Sequence, residues 1–129
     1  MINDIVLVFI GGGLGALLRY TVNTLSITYL NVNNQQKLAF GTFIANILGS
    51  FIIGYIVGLF ESTILSNEQL KLFIIVGLLG GFTTFSSFTL EIVNMIQSGN
   101  YLSAVIYILS SIVVAIIFTL LGMKLGQSF

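Results

Sequence analysis

The chain has 129 residues, of which 57% are apolar and 6% charged, and its formal net charge is zero. Soluble domains carry about 25% charged residues, so this composition excludes a water-facing polar shell and points to an all-α integral membrane protein. With no Cys and no His, disulfides, thiolate nucleophiles, imidazole ligands and the Ser-His-Asp arrangement are ruled out. Most catalytic groups are therefore missing and an enzyme is not expected, while the lack of any basic run removes the footprint of nucleic-acid binding.

Four transmembrane spans in a single membrane domain, 1–129, are predicted from the hydropathy pattern. The first runs from about Asp4 to Leu25; its leading segment MINDIVLVFI lacks the basic region of a secretory signal and reads as a retained helix. A polar, non-periodic stretch, NVNNQQK (31–37), leads to the second span, from about Leu38 to Phe60. ESTILSNEQ (61–69) is expected at the interface, with Ser66 as an N-cap and Gln69 three residues later as in a capping box. The third span covers about Leu70 to Gln97, the tight turn QSGN (97–100) follows, and the fourth covers about Tyr101 to Lys124.

An even number of spans puts both termini on one side, with Lys71 and Lys124 there and Lys37 opposite. A bias of one lysine is a weak instruction under the positive-inside rule, so insertion in both orientations stays open. Gly11 and Gly15, Gly54 and Gly58, Gly77 and Gly81, and Gly122 and Gly126 are small-xxx-small pairs, which let membrane helices approach closely. Packing is the expected role of most of them.

Several polar residues interrupt the apolar spans. Arg19 is either an interfacial anchor or a positive charge at the mouth of an aqueous vestibule. Asn46 sits mid-span, and Thr42, Asn46, Gly49 and Ser50 share one small, polar helical face. A buried amide needs a partner, so Asn46 faces another helix or a water-lined path, where its NH₂ can donate to an anion. On the fourth span Tyr107, Ser111, Ala115 and Thr119 form a stripe at four-residue spacing, with Ser110 beside it; bonding of hydroxyls back to their own helix is the plain alternative. Glu91 is either an interfacial carboxylate or an interior one organising hydroxyls.

The third span is too long for a straight crossing: a continuous helix from Leu70 to Gln97 would measure about 42 Å against a hydrocarbon core of about 30 Å. A break is expected near its middle, at Gly80-Gly81 followed by Thr83-Thr84 in GGFTTFSSF (80–88). Broken helices in membranes must line a cavity or be buried in protein, and their freed carbonyls can hold a cation such as Na⁺. Phe85 and Phe88 lie on one face beyond the break beside the hydroxyls of Thr84 and Ser87; their ring edges carry the positive side of the quadrupole, which an anion can approach. Phe82 reads as packing.

GGGLGALLRY (11–20), GTFIANILGSFIIG (41–54), GGFTTFSSFTLE (80–91) and the fourth-span stripe resemble the small bacterial fluoride channels of the Fluc or CrcB family, over the whole chain. The resemblance implies an antiparallel dual-topology dimer in the bacterial cytoplasmic membrane, with two fluoride pathways built from both subunits and passive export of accumulated fluoride. It implies that fluoride passes the ring edges of Phe85 and Phe88 near Asn46, Thr84 and Ser87, and follows Tyr107, Ser111 and Thr119 with Glu91 nearby. It also implies a vestibule charge at Arg19 and a structural Na⁺ on the dimer axis, held by backbone carbonyls at Gly80 and Thr83. Two departures stand out: Ala115 where the track would carry a hydroxyl, and Ser87 where threonine is usual. The resemblance also implies that some members work as heterodimers of two related chains, each contributing different pieces, and the missing hydroxyl fits that arrangement better than a homodimer. Competing readings are a small proton-coupled multidrug exporter, which would need a buried exchanging carboxylate, and a non-conducting partner subunit whose business is the glycine pairs.

Overall fold

The computed structural model describes residues 1–29, 34–64 and 67–128. The chain contains no proline, and in lipid a helix satisfies its own backbone groups, so long helices dominate. Helix α1 spans Ile2–Tyr29 and α2 spans Asn34–Ile64. The first half of the third span, α3, is composite: Glu68–Leu70, a π-wound stretch Lys71–Leu79, and Gly80–Phe82. After the break come α4 (Phe85–Gln97) and α5 (Tyr101–Gly126). Four helical stretches among the described residues, at Ile2–Tyr29, Ala39–Leu59, Glu68–Gln97 and Tyr101–Gly126, are long and apolar enough to cross a membrane.

The side-chain distribution is that of a protein solvated by lipid. On α1 the buried residues are Gly11, Gly15 and Ser26, while Ile5, Phe9 and Leu17 face outward. Small residues turn inward because lipid offers apolar chains nothing to escape from, leaving close packing as the main source of helix attraction.

All four glycine pairs are spent on packing, and they pair with each other. A Cβ on Gly11 or Gly15 would strike the backbone of α3 around Phe73, Leu78 and Phe82, and one on Gly77 or Gly81 would strike α1 around Val8, Gly11 and Gly12. Gly54 and Gly58 press on the backbone of Thr119 and Met123, and Gly122 and Gly126 press on that of Phe51, Tyr55 and Leu59. Two zippers result, α1 on α3 and α2 on α5, while α4 leans on α5 and α2.

Two sequence expectations shift. The break lies at Thr83 and Thr84, both extended (φ −85°, ψ 157° and φ −150°, ψ 123°), whereas Gly80 and Gly81 stay helical. The reason is that Gly81 is needed against Gly12, and a glycine in a helix serves contact here rather than conformational freedom. Helix α2 begins at Asn34, inside the stretch expected to be irregular, and runs to Ile64; hydropathy marks where lipid ends, and a helix can continue past that point. Residues 31–33 and Ser66, the expected N-cap, lie outside the described residues; the cap seen at Glu68–Leu70 is Asn67, whose Oδ1 accepts from the Leu70 N–H at 3.1 Å.

The QSGN turn forms as expected and is a Schellman closure. The Gly99 N–H bonds the Ile96 carbonyl at 3.0 Å and the Asn100 N–H bonds that of Met95 at 2.9 Å. Gly99 takes φ 76°, the left-handed region that glycine enters without a Cβ clash.

The zippers generate a directional prediction. Gly15→Leu and Gly122→Leu each put a side chain into facing backbone, which cannot rotate away, and should cost about 3 kcal/mol or more, the upper end for overpacking. Gly13→Ala, where nothing lies within 4 Å, should stay within about 0.5 kcal/mol of the parent. Denaturation in mixed detergent micelles measures all three, and equal losses at the three sites would remove the zippers as the source of cohesion.

Candidate functional site

The polar face of α2 packs against the broken span. At its centre the Asn46 amide meets the backbone of Thr84 twice: Oδ1 accepts the Thr84 N–H at 2.8 Å, and Nδ2 donates to the Thr84 carbonyl at 3.1 Å. In a continuous helix the Thr84 N–H would close on the carbonyl of Gly80. Asn46 takes that donor instead, which frees the Gly80 carbonyl and holds the chain open. One turn away Gly49 sits against the side chains of Thr83 and Phe82, so the four-residue face expected from spacing is one docking surface.

Beyond the break, Thr84 caps α4: its Oγ1 accepts the Ser87 N–H at 3.2 Å and donates to Ser87 Oγ, also at 3.2 Å. The first N–H groups of a helix have no intrahelical partner, so the positive end of α4 lies at membrane depth beside the C-terminal carbonyl end of α3. A single break therefore presents a face that favours an anion and a face that favours a cation.

Both faces open onto a cavity of about 430 Å³. Asn46, Ser50, Gly80, Thr83, Thr84, Phe85, Phe88, Ser111 and Ala115 are among its lining residues. Phe85 and Phe88 contact each other at 5.8 Å between centroids with rings tilted 45°. Phe88 is 6% exposed, but Phe85 projects outward at 75%, so the two rings expected to act together have different surroundings in a single chain. Ser111 is a buried residue of the cavity wall, and its Oγ has no hydrogen-bond partner among the described residues.

Glu91 is interior, at 8% exposure. Its Oε1 accepts the Thr42 hydroxyl at 2.6 Å, and its Oε2 lies 2.7 Å from the Tyr107 hydroxyl. That hydroxyl is also 3.1 Å from the Ala39 carbonyl oxygen. The Tyr107 ring touches Phe88 at 5.1 Å between centroids, so Phe85, Phe88 and Tyr107 make a continuous aromatic ladder from the cavity to the carboxyl. Of the two roles open to Glu91, the structure displays the organising one.

Arg19 is half-buried on α1 and does not line the cavity. Thr119 is also absent from the lining, and its hydroxyl bonds back to the Ala115 carbonyl at 3.0 Å. Ser110 bonds back to the Tyr107 carbonyl at 3.3 Å. The stripe thus contributes Tyr107 and Ser111, with Ala115 as an apolar patch. Spacing places Thr42 one turn before Asn46 on the polar face but does not reveal its bond to Glu91, and the Ala39 carbonyl carries no sequence signal. No cluster of three or more His, Cys, Asp or Glu exists among the described residues, so a cation here would rest on carbonyls, for which the freed Gly80 oxygen and the extended Thr83 are suited.

Removing the Asn46 amide should be costly. Asn46→Ala leaves the Thr84 N–H without its partner in a buried setting, at roughly 1–3 kcal/mol per orphaned group, and a loss of about 2–4 kcal/mol in detergent unfolding is expected. A loss below about 0.5 kcal/mol would mean that the break stands without the clamp.

Comparison with known proteins follows the same residues. Residues 6–123 match the family model described as "CrcB-like protein, Camphor Resistance (CrcB)". A protein of Azobacteroides pseudotrichonymphae named "Fluoride-specific ion channel FluC" is 41% identical over 100% of both chains. One of the same name from Ruminiclostridium cellulolyticum is 44% identical over 98% of this chain and 91% of its own. Another from Francisella philomiragia is 40% identical over 92% and 90%. A four-span fold broken at TTFSSF, with a match along nearly its whole length, makes this chain a member of the CrcB family.

Proposed function

We propose that the chain is a passive, fluoride-selective channel of the bacterial cytoplasmic membrane, working as an antiparallel dimer with two pathways. The observation that carries this reading is the cavity at the break, where Ser111, whose hydroxyl has no partner among the described residues, the capped end of α4 and the Phe85–Phe88 pair converge. The full-length likeness to fluoride-specific channels names the ion.

Fluoride is small and holds its water tightly, so it crosses only where protein donors replace that water step by step. Asn46 retains one amide hydrogen that no described residue uses, and Ser111, Thr84 and Ser87 add hydroxyls. Phe85 and Phe88 offer ring edges, whose partial positive charge attracts an anion without binding it as firmly as a full charge would. Arg19 serves as a vestibule charge that concentrates anions, and Tyr107 and Glu91 continue the route.

A second copy completes the site. Phe85 projects from each chain beside an open cavity, and antiparallel pairing would let each chain wall the other's pathway. The carbonyls of Gly80 and Thr83 from both copies would hold Na⁺ on the axis, where it supplies fixed positive charge and joins the two breaks. A heterodimer with a homologous chain would supply the hydroxyl that Ala115 lacks. A proton-coupled exporter needs a carboxylate open to water and substrate, whereas Glu91 is buried with both oxygens engaged.

Liposomes reconstituted with this chain alone, loaded with potassium fluoride and given a K⁺ ionophore, provide the test. Fluoride should leave rapidly without matching chloride release, and Ser111→Ala should slow it at least about tenfold, since a hydrogen bond to a charged group contributes about 1.5–3 kcal/mol. Chloride release at the same rate would sink the selectivity claim. No fluoride release from folded dimer would sink the self-sufficient channel and transfer conduction to a pair of different chains.

A further inference from the structure

Around the carboxyl group at the end of the aromatic ladder, three oxygen–oxygen contacts share a limited number of protons, two made by Glu91 and one by Tyr107 alone. Thr42 Oγ1 lies 2.6 Å from Glu91 Oε1, Tyr107 Oη lies 2.7 Å from Oε2, and the same Oη lies 3.1 Å from the Ala39 carbonyl. Each contact needs one hydrogen. Thr42 supplies one and Tyr107 one, so an ionised Glu91 leaves one contact without a hydrogen, and Tyr107 must leave either the carboxylate or the Ala39 carbonyl facing a lone pair. A backbone carbonyl has no hydrogen to give.

We propose that Glu91 carries a proton on Oε2 and donates it to Tyr107. The hydrogens then run in one direction: Glu91 Oε2–H to Tyr107 Oη, Tyr107 O–H to the Ala39 carbonyl, and Thr42 O–H to Glu91 Oε1. All three contacts are satisfied, and no bare charge is buried. A carboxylic acid kept neutral in an apolar site so that it can donate is an established device of protein chemistry, and a carboxyl lacking a charged partner neutralises when buried. The groups packed against Glu91 agree. Thr42 faces it from α2 and Tyr107 from α5, with the Ala39 carbonyl beside the Tyr107 hydroxyl and Phe88 one turn before Glu91 on α4. Among the described side chains no Lys or Arg forms an ion pair with it, and Tyr107 is the one titratable group within hydrogen-bonding distance.

The assignment changes what an anion meets at that end of the ladder. A neutral acid presents a polarised O–H chain and no negative charge, so an anion beside Phe88 and Tyr107 is not repelled. This role rests on the channel reading, whereas the proton itself rests on the contacts alone.

Infrared difference spectroscopy of the purified chain at neutral pH, parent minus Glu91→Gln, tests the assignment. The expected result is a protonated-carboxyl C=O stretch that shifts in D₂O and is lost in the variant. A difference spectrum showing only carboxylate stretches would overturn it. Should Glu91→Gln fail to fold, Tyr107→Phe serves: it removes the oxygen that accepts the proton, so the band should move to higher frequency, and an unmoved band would overturn the assignment. A chain that shows the band and carries no fluoride would sink the channel reading and leave the proton in place.

Discussion

The amide of Asn46 is what allows a helix to be open in the middle of a membrane. A peptide N–H without a partner in a lipid-solvated interior is costly, so the default for the third span is to close the bond from the Thr84 N–H to the Gly80 carbonyl. A primary amide carries an acceptor and a donor side by side, as a neighbouring strand would offer them, and Asn46 presents both to Thr84. The Thr84 peptide is thereby satisfied at both its N–H and its carbonyl. The freed carbonyl at Gly80 follows from that exchange of partners, and the Thr84 cap on the Ser87 N–H begins the next helix beside it.

Cohesion and chemistry are divided between different surfaces. The two glycine zippers join α1 to α3 and α2 to α5 through backbone contact, with almost no polar side chain involved. The seam between α2, α4 and α5 carries the hydroxyls, the amide and the buried carboxyl. The zippers supply close backbone packing away from that seam, and within the seam the Ser111 hydroxyl has no partner among the described residues.

Four spans, a break in the third and glycine contacts are legible from composition and spacing, because each follows from a local rule about length or periodicity. Asn46 is legible as a residue needing a partner, but the partner is a backbone 38 positions away, and only the location of the break decides which one. That location was half readable: GGFTT marks the place, yet whether glycines or threonines open depends on Gly12 pressing against Gly81. The same holds for Glu91, whose surface and interior roles differ only by whether Thr42 and Tyr107 arrive beside it. The π-winding of Lys71–Leu79 has no signature in the residues themselves. Thr119 and Ser110 show the opposite limit: spacing put hydroxyls on or beside a track, and their own helix carbonyls claimed them.

The zippers also bear on how this protein answers to temperature. Soluble proteins owe the curvature of their stability to apolar surface that gains a hydration shell on unfolding. Separation of α1 from α3, or of α2 from α5, exposes glycine backbone and flanking apolar groups to lipid tails, and no such shell forms. Glycine also has no rotamers to release. The heat-capacity change of helix separation is therefore small, and stability should fall nearly linearly on warming. Such a bundle has no cold-denaturing limb, a useful property in a membrane whose own fluidity already changes with temperature.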